Sequence, residues 1–480
     1  MKRLLLPAAL FLVAGCASTG GYYERINGLV RDSRYAEAGA FAGESRKKIY
    51  GAKNDLLYFL DRGFLLHLAG DYRASNEAFE TAQQLSRELF TKSISAEAAT
   101  FLVSDNVRPY YGEDFERVLI HVFSALNYVL LDDYEAALVE TRRADHVLRT
   151  LETHYDGKMS YREDAFARYL SGLIQEEAGE INSAHVSYLR ALDAYDAYLK
   201  NYGTPPPARL AADAVRTAER LGMKDRAREI ISKRGVQSKD VAAADSGEIV
   251  IVLYAGLSPV KIDSFFEISF GRAWIHVGSV EARGDDVSQV EQAGRIARSI
   301  AAEDQVVMAF PKYAPSPYRA ARFDVALRAS AEQPPDGNAP PASATARAEM
   351  AEDIGAIAVK VLDERIGRIR AKTIARSAVK YALSKKIGAE VAKSSNDRAL
   401  GWLAQKIVAG AAAATELADK RSWRTLPDKI FLARLPAATG TYDIVVDFYD
   451  NAGYKVTSET IKSVSVRKGR RTFAALRSAM

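Results

Sequence analysis

Asp132-Asp133-Tyr134-Glu135-Ala136-Ala137-Leu138-Val139-Glu140 is one copy of a phrase that this 480-residue chain uses three times. A Gly or Asp and an acidic residue precede an aromatic or apolar side chain, and small and large residues follow at fixed offsets. In the first copy Gly70-Asp71-Tyr72 leads to Ser75, Phe79 and Ala82, with Phe59, Gly63 and Leu66 upstream. In the second, Tyr134 leads to Ala137, Thr141 and Ala144, with His121, Ala125 and Tyr128 upstream. In the third, Gly179-Glu180-Ile181 leads to Ala184, Tyr188 and Ala191, with Arg168, Gly172 and Gln175 upstream. Weaker copies stand at Ser33-Arg34-Tyr35-Ala36-Glu37-Ala38 and at 222–227. Around them, residues 22–235 keep an almost unbroken helical pattern, nearly free of Pro until Pro205-Pro206-Pro207, which predicts an all-helical half.

These positions resemble the tetratricopeptide repeat. The resemblance implies antiparallel helix pairs, with Gly63, Ala125, Gly172 and Ser75, Ala137, Ala184 letting backbones approach and the Gly or Asp making the turn. Tyr72, Tyr134 and Ile181 are 62 and 47 residues apart, where the family repeats at about 34, so uniform stacking is not expected. The longer gap contains the turn-rich stretch 105–117, which should lie over the array. The helix positions that would clamp a partner's C-terminal carboxylate hold Leu60, Asp61, Phe64, Val122, Phe123 and Leu126. They favour an apolar or internal segment of a partner instead.

Periodicity stops over 236–247, read as a linker. The β-branched run Glu248-Ile249-Val250-Ile251-Val252-Leu253-Tyr254 then predicts a buried strand, and 265–270, 273–277 and 305–310 continue the strand signals. Residues 333–341, rich in Pro, read as an exposed loop. Over 348–420, Ile354, Ile357, Val361, Ile366, Ile369 and Ile374 fall at helical spacing, which predicts an amphipathic helical pair or trio inserted in the β domain. Strands are expected again over 430–435, 442–449 and 460–466. The fold class is therefore α+β and multidomain. A helical tetratricopeptide-like array (22–235) precedes a smaller β-sheet or sandwich domain (248–480) with a helical insertion.

The N-terminus carries Lys2 and Arg3, an apolar stretch over 4–13, and the small residues Val13-Ala14-Gly15 before Cys16. The stretch is too short for a membrane span, which needs about 20 residues. It resembles a lipoprotein signal, which implies removal of 1–15 and a lipid on Cys16. Cys16 is the only cysteine in the chain, so no internal disulfide competes for it. Ala17, where inner-membrane lipoproteins commonly carry Asp, implies the periplasmic face of the outer membrane.

Acids and bases are interleaved, and the formal charge of +5 includes two residues of the leader. That excludes a nucleic-acid binder's signature. The six histidines are scattered and no two share a helical turn, so no metal site is expected. No Gly-x-Ser-x-Gly elbow or phosphate-cradling loop occurs, so neither a catalytic residue nor a cofactor is assigned. Glu113, Asp114 and Glu116 could form an acid/base pair, but carboxylates beginning a helix are expected from its dipole. In Arg421-Ser422-Trp423-Arg424 the Trp could stack on a sugar or a partner aromatic, and could equally anchor a helix–strand junction. The apolar run 402–418 reads as a buried core helix. The basic end, Arg467, Lys468, Arg470, Arg471 and Arg477, fits anionic headgroups or a solvated final strand and tail.

Taken whole, the chain resembles a family of bacterial lipoproteins that pair a tetratricopeptide-like half with a mixed half. The most specific pieces are Tyr111-Gly112-Glu113-Asp114-Phe115-Glu116-Arg117, Asp133-Tyr134-Glu135-Ala136-Ala137-Leu138-Val139-Glu140 and Arg421-Ser422-Trp423-Arg424-Thr425-Leu426-Pro427. The resemblance implies a role near peptidoglycan synthesis and no particular activity. The sequence thus predicts a non-enzymatic interaction scaffold that holds an envelope protein partner through its repeats and the membrane through Cys16. Tyr111, Glu113, Trp423 and Arg424 are the candidate contact residues. The alternative is a peptidoglycan-binding protein or envelope enzyme using the C-terminal domain.

Overall fold

Each copy of the repeated phrase forms a helix–turn–helix with the same backbone. Ser33, Gly70, Asp132, Gly179 and Gly222 have φ between +57° and +85°. After each, an amide donates to the carbonyl five residues back: Arg34 to Leu29 (2.8 Å), Asp71 to Leu66 (3.0 Å), Asp133 to Tyr128 (2.9 Å), Glu180 to Gln175 (2.8 Å) and Met223 to Ala218 (2.9 Å). A left-handed residue at that point lets the chain satisfy the helix's last carbonyls, which is why Gly or Asp recurs there. The turns join α1 (Cys16–Arg31) to α2 (Tyr35–Ser45), α3 (Asp55–Leu68) to α4 (Tyr72–Ala96), α5 (Asp114–Leu130) to α6 (Tyr134–Tyr155), α7 (Ala165–Glu177) to α8 (Ile181–Tyr202) and α9 (Leu210–Arg220) to α10 (Lys224–Arg234).

The structure, a computed structural model, describes residues 16–96, 108–155, 159–237, 247–270, 275–281, 305–330, 344–395, 398, 400–402 and 418–480. The leader 1–15, most of the expected linker and the loop 333–341 lie outside the described residues.

Small residues set the spacing inside the pairs. A Cβ on Gly63 would overlap the Phe79 ring, and one on Gly172 would overlap the Tyr188 ring. Each glycine therefore brings α3 against α4, or α7 against α8, with an aromatic filling the space its missing side chain leaves. The Ser75 hydroxyl adds a bond to the Gly63 carbonyl at 2.6 Å.

The second half is built of β1 (Gly247–Ala255), β2 (Val260–Phe270), β3 (Ile275–Glu281), β4 (Gln305–Ala314), β5 (Arg322–Ala329), β6 (Thr345–Arg347), β7 (Glu349–Asp353), α11 (Ile354–Ser395), β8 (Lys429–Ala437), β9 (Gly440–Tyr449), β10 (Lys455–Val466) and β11 (Arg471–Ser478). The chain is accordingly a mixed α+β protein. A middle sheet has the order β11-β1-β8-β7, an outer sheet β10-β9-β5-β6, and a three-stranded sheet β3-β2-β4. Ile249, Ile251, Leu253 and Ala255 of β1 face Phe323, Val325, Leu327, Ile444, Val446 and Phe448 of the outer sheet in one core. Val250, Val252 and Tyr254 face the helices in the other. The molecule is layered as helices, middle sheet and outer sheet, and the helical half shares its core with the sheet.

Several expectations need correction. The helical insertion begins at Ile354, because Glu349–Asp353 pairs with β8 as an edge strand. From there α11 runs unbroken for 42 residues, and helix resumes at 400–402, where Gly401 packs on Gly388 and Ala392 of α11. The basic end divides: Arg467, Lys468 and Arg470 are exposed, whereas β11 lies parallel to β1, leaving Arg471 half-buried and Arg477 buried. Trp402, the first residue of the run expected to be a buried helix, is 57% exposed, and 403–417 lie outside the described residues.

Gly63→Ala and Gly172→Ala should each lower stability by about 1–3 kcal/mol through overpacking, although Ala ordinarily favours a helix interior over Gly by about 1 kcal/mol. Chemical denaturation measures this, and a midpoint equal to or above that of the parent protein would show that the pairs are not in close contact.

Candidate functional site

Polar residues on an apolar helix face need partners, and those of α3, α5, α7 and α9 find them on the sheet side of the molecule. Asp61 in α3 is fully buried. Its Oδ2 accepts from the hydroxyls of Tyr23 and Tyr50, both at 2.8 Å, and its Oδ1 accepts from the Thr425 hydroxyl at 2.9 Å. One turn and a half further on, His67 lies 2.6 Å by Nδ1 from Asn127 Oδ1 and 2.9 Å by Nε2 from the Tyr254 hydroxyl of β1. Burial pushes the imidazole down to about 4, so at neutral pH it is uncharged, donates from Nδ1 to Asn127 and accepts at Nε2 from Tyr254. Asn127 continues the chain by donating to Ser75 Oγ and Asn76 Oδ1, each at 2.8 Å. Helices α3, α4 and α5 are thereby tied to β1.

A second node forms where α5 begins. Glu116 reaches back to accept from the Glu113 amide at 2.9 Å, as a helix cap does. It also accepts from the Trp423 amide at 2.6 Å and from the Tyr110 hydroxyl at 2.5 Å. Burial, with Glu113 beside it, pushes Glu116 up to about 7. Glu113 pairs with Lys261 of β2 and, at 3.1 Å, with Arg365 of α11, while Arg365 also grips Asp114. The caps expected from the sequence are present, and the same carboxylates join three separate stretches of chain.

The third node is the largest. Arg434 of β8 pairs with Asp213 of α9 and at 2.7 Å with Glu248 of β1. Arg471 of β11 bonds Glu248 and Glu176 of α7, both at 2.9 Å. Arg216 holds Glu176 and Asp213 at 2.7 Å each. The Tyr169 hydroxyl bonds both Asp213 (2.9 Å) and Arg434 (2.6 Å). Burial would raise these acids, but Arg434 and the neighbouring guanidiniums outweigh it, holding Asp213 well below the usual carboxylate range and Glu248 at about 2.

The candidate contact residues separate. Trp423 is 1% exposed and packs edge-on against Phe64, Phe79 and Phe123. Its Nε1 donates to Thr425 at 3.0 Å. Arg424 lies half-buried over the Tyr23 ring. Glu113 is engaged in its ion pairs, and only Tyr111, 40% exposed, stands at the surface. Leu60, Asp61, Phe64, Val122, Phe123 and Leu126, expected to meet a partner, are all buried. Phe64 and Phe123 meet Tyr254 and Trp423 of the chain's own second half.

No protein-family model and no curated protein matches the chain.

Chemically, the three nodes contain groups that catalysis often employs, including a carboxyl near neutrality and a neutral imidazole, yet all of them face protein. The open space among the described residues includes a groove of about 510 Å³ between α1 and α2, lined by Arg25, Asp32, Arg34, Glu37, Phe41 and Glu44. None of the three nodes opens into it. Among the described residues no group of three or more His, Cys, Asp or Glu side chains is placed to hold a metal ion. Sequence reasoning passed over His67, Asp213 and Arg434. The available signal was a charged residue inside an apolar pattern, such as Arg434 in Phe431-Leu432-Ala433-Arg434-Leu435.

Arg434→Met should cost about 3–5 kcal/mol, because it removes the guanidinium that buried Asp213 and Glu248 share and leaves Asp213 with Arg216 alone. Asp213→Asn combined with Arg434→Met should cost clearly less than the two single changes added, and additive losses in a double-mutant cycle would refute the coupling. A second prediction concerns pH. Glu116 has a folded-state pKa raised from 4.5 to about 7, so its contribution is fully present below about pH 4.5 and is lost as pH rises through 7. The difference in stability between the parent protein and Glu116→Gln should therefore shrink by a few kcal/mol between about pH 5 and 8, since a tenfold change in proton affinity corresponds to about 1.4 kcal/mol. A difference that is flat in pH would count against the raised carboxyl.

Proposed function

We propose that this chain is a lipid-anchored envelope protein that engages another envelope protein through the outer face of a tetratricopeptide-like helical array, held at the periplasmic side of the outer membrane by Cys16. The finer repeat reading rests on the shared left-handed turns and on the Gly63–Phe79 and Gly172–Tyr188 contacts. One observation carries the choice of face. The inner helices α3, α5, α7 and α9 are covered by the chain's own sheet, which leaves the second helix of each pair as the accessible side of the array.

On that side Val139 in α6 and Val186 in α8 occupy the same place in successive pairs, seven residues after Asp132 and Gly179. They are 41% and 43% exposed. Trp423 closes the seam from within, so it offers no sugar-stacking platform for the alternative glycan-binding reading. Proximity to peptidoglycan synthesis remains what the family resemblance implies.

In cells fed an alkyne fatty acid, Cys16→Ser should abolish labelling, and retained label would refute lipidation at this residue. Cross-linked capture with Val139→Glu/Val186→Glu should lose the partner seen with the parent protein while the thermal midpoint changes little. An unchanged partner set would show that the outer face is not the docking surface.

A further inference from the structure

Asp164 and Glu352 differ from the acids of the three nodes. Both are buried, at 0% and 1% exposure, yet among the described residues no ion pair reaches either of them. Asp164 caps α7: its Oδ1 accepts from the Ala167 amide at 2.7 Å and its Oδ2 from the Tyr161 hydroxyl at 2.8 Å. Glu352 comes from β7, where the register on β8 shifts between Met350 and Glu352. Its Oε1 accepts from the Tyr198 hydroxyl of α8 at 3.3 Å, and its Oε2 has no hydrogen-bond partner.

The surroundings offer no cation in compensation. Arg168, one turn after Asp164, is taken up by Glu163 and Asp145. Asp353, next to Glu352, engages Lys429 of β8 at 3.2 Å. Tyr161, and Tyr195, Tyr198 and Tyr202 of α8, are all raised by burial and stay uncharged. An interior carboxylate with one hydrogen bond is costly, whereas the neutral acid is not. Burial, with Asp164 beside it, accordingly pushes Glu352 well above the usual carboxylate range, and burial pushes Asp164 up to about 6.

Their place in the fold gives the two acids leverage. Strand β7 is at the edge of the middle sheet and pairs within it only with β8. Neutral bonds clip it to the helical half: the Tyr195 hydroxyl donates to the Ala351 carbonyl and the Ala208 amide to Glu349, both at 2.9 Å. Asp353 then caps α11 through the Ala356 amide at 2.8 Å, and Ile354, Ile357 and Val361 enter the shared core. An edge strand and the helix root after it can open without unpairing the strands behind them.

We propose that β7 and the root of α11 form a proton-dependent joint, docked on α7 and α8 while Glu352 is protonated beside Asp164, and opening locally when Glu352 ionises. In water Glu352 ionises at its ordinary 4.5, so its contribution to docking is complete below about pH 4.5 and is lost as pH rises toward the higher value of the docked carboxyl. Over that interval each pH unit raises the open fraction about tenfold. The joint goes beyond the anchor and partner reading and does not rest on it.

Hydrogen exchange of the full chain, read by mass spectrometry from about pH 6 to about pH 9 and corrected for intrinsic rates, tests this. Asp164 has finished titrating at the lower limit. Peptides over 349–362 should open about tenfold more per pH unit, and those of β1 and β8 should not. Glu352→Gln keeps the shape without the charge and should abolish the slope. Asp164→Asn, an independent variant, removes the neighbouring charge and should reduce opening at the upper limit. Glu116→Gln, which removes the other raised carboxyl, should leave the slope in place. A parent protein without the slope, a slope that persists in Glu352→Gln, one that vanishes in Glu116→Gln, or opening shared equally by β1 and β8 would each overturn the proposal.

Discussion

Strand β1 sends Ile249, Ile251, Leu253 and Ala255 toward the outer sheet and Val250, Val252 and Tyr254 toward the helices. A strand that is apolar on both sides leaves water only when both are covered. The outer sheet supplies one cover, and α3, α5, α7 and α9 supply the other. The repeated helix pairs thus have a structural task before any question of a partner arises, because they are the second roof of the middle sheet.

Dry packing alone would let such a roof settle in more than one way. The seam instead contains charges that can be satisfied only in one alignment. Arg434 must reach Asp213 and Glu248 together, Arg471 must reach Glu248 and Glu176, and His67 must lie between Asn127 and Tyr254. Buried ion pairs contribute little net stability over apolar substitutes, but each penalises a wrong docking by leaving a charge unpaired. In this chain that penalty specifies the register of helices on sheet. Arg477 follows the same logic without an acid, donating to the carbonyls of Thr425 and Gly256 at 2.7 and 2.8 Å.

Where local signals were strong, the sequence was legible. The offsets around Tyr72, Tyr134 and Ile181 located helix pairs and their turns, and the run 248–254 marked a strand buried on both faces. The carboxylates of Glu113 and Glu116 were readable as helix-starting residues. Their further contacts to Lys261 and Trp423 were not, since those partners lie 148 and 307 positions away. The basic end was read as meeting anionic headgroups or solvent because five basic residues look polar in isolation; Arg467, Lys468 and Arg470 are exposed, whereas Arg471 and Arg477 of the strand itself turn onto the face that α7 and α3 cover. Trp402 erred in the opposite direction: an apolar run suggested burial, and its first residue is exposed.

Periodicity, turn residues and β-branched runs, which depend on near neighbours, determined the helical half, the mixed second half and most element positions. The same chain placed Cys16, its one cysteine, after a leader-like stretch, and that inference owes nothing to tertiary structure. What the inner helix face meets was decided only in three dimensions. Phe64, Phe123 and Asp61 look alike whether they await a foreign segment or their own chain, because burial is a property of what arrives from a distant part of the sequence. Here Trp423, Thr425 and Tyr254 arrive, which turns an expected binding groove into the core and leaves Val139 and Val186 of the second helices facing outward.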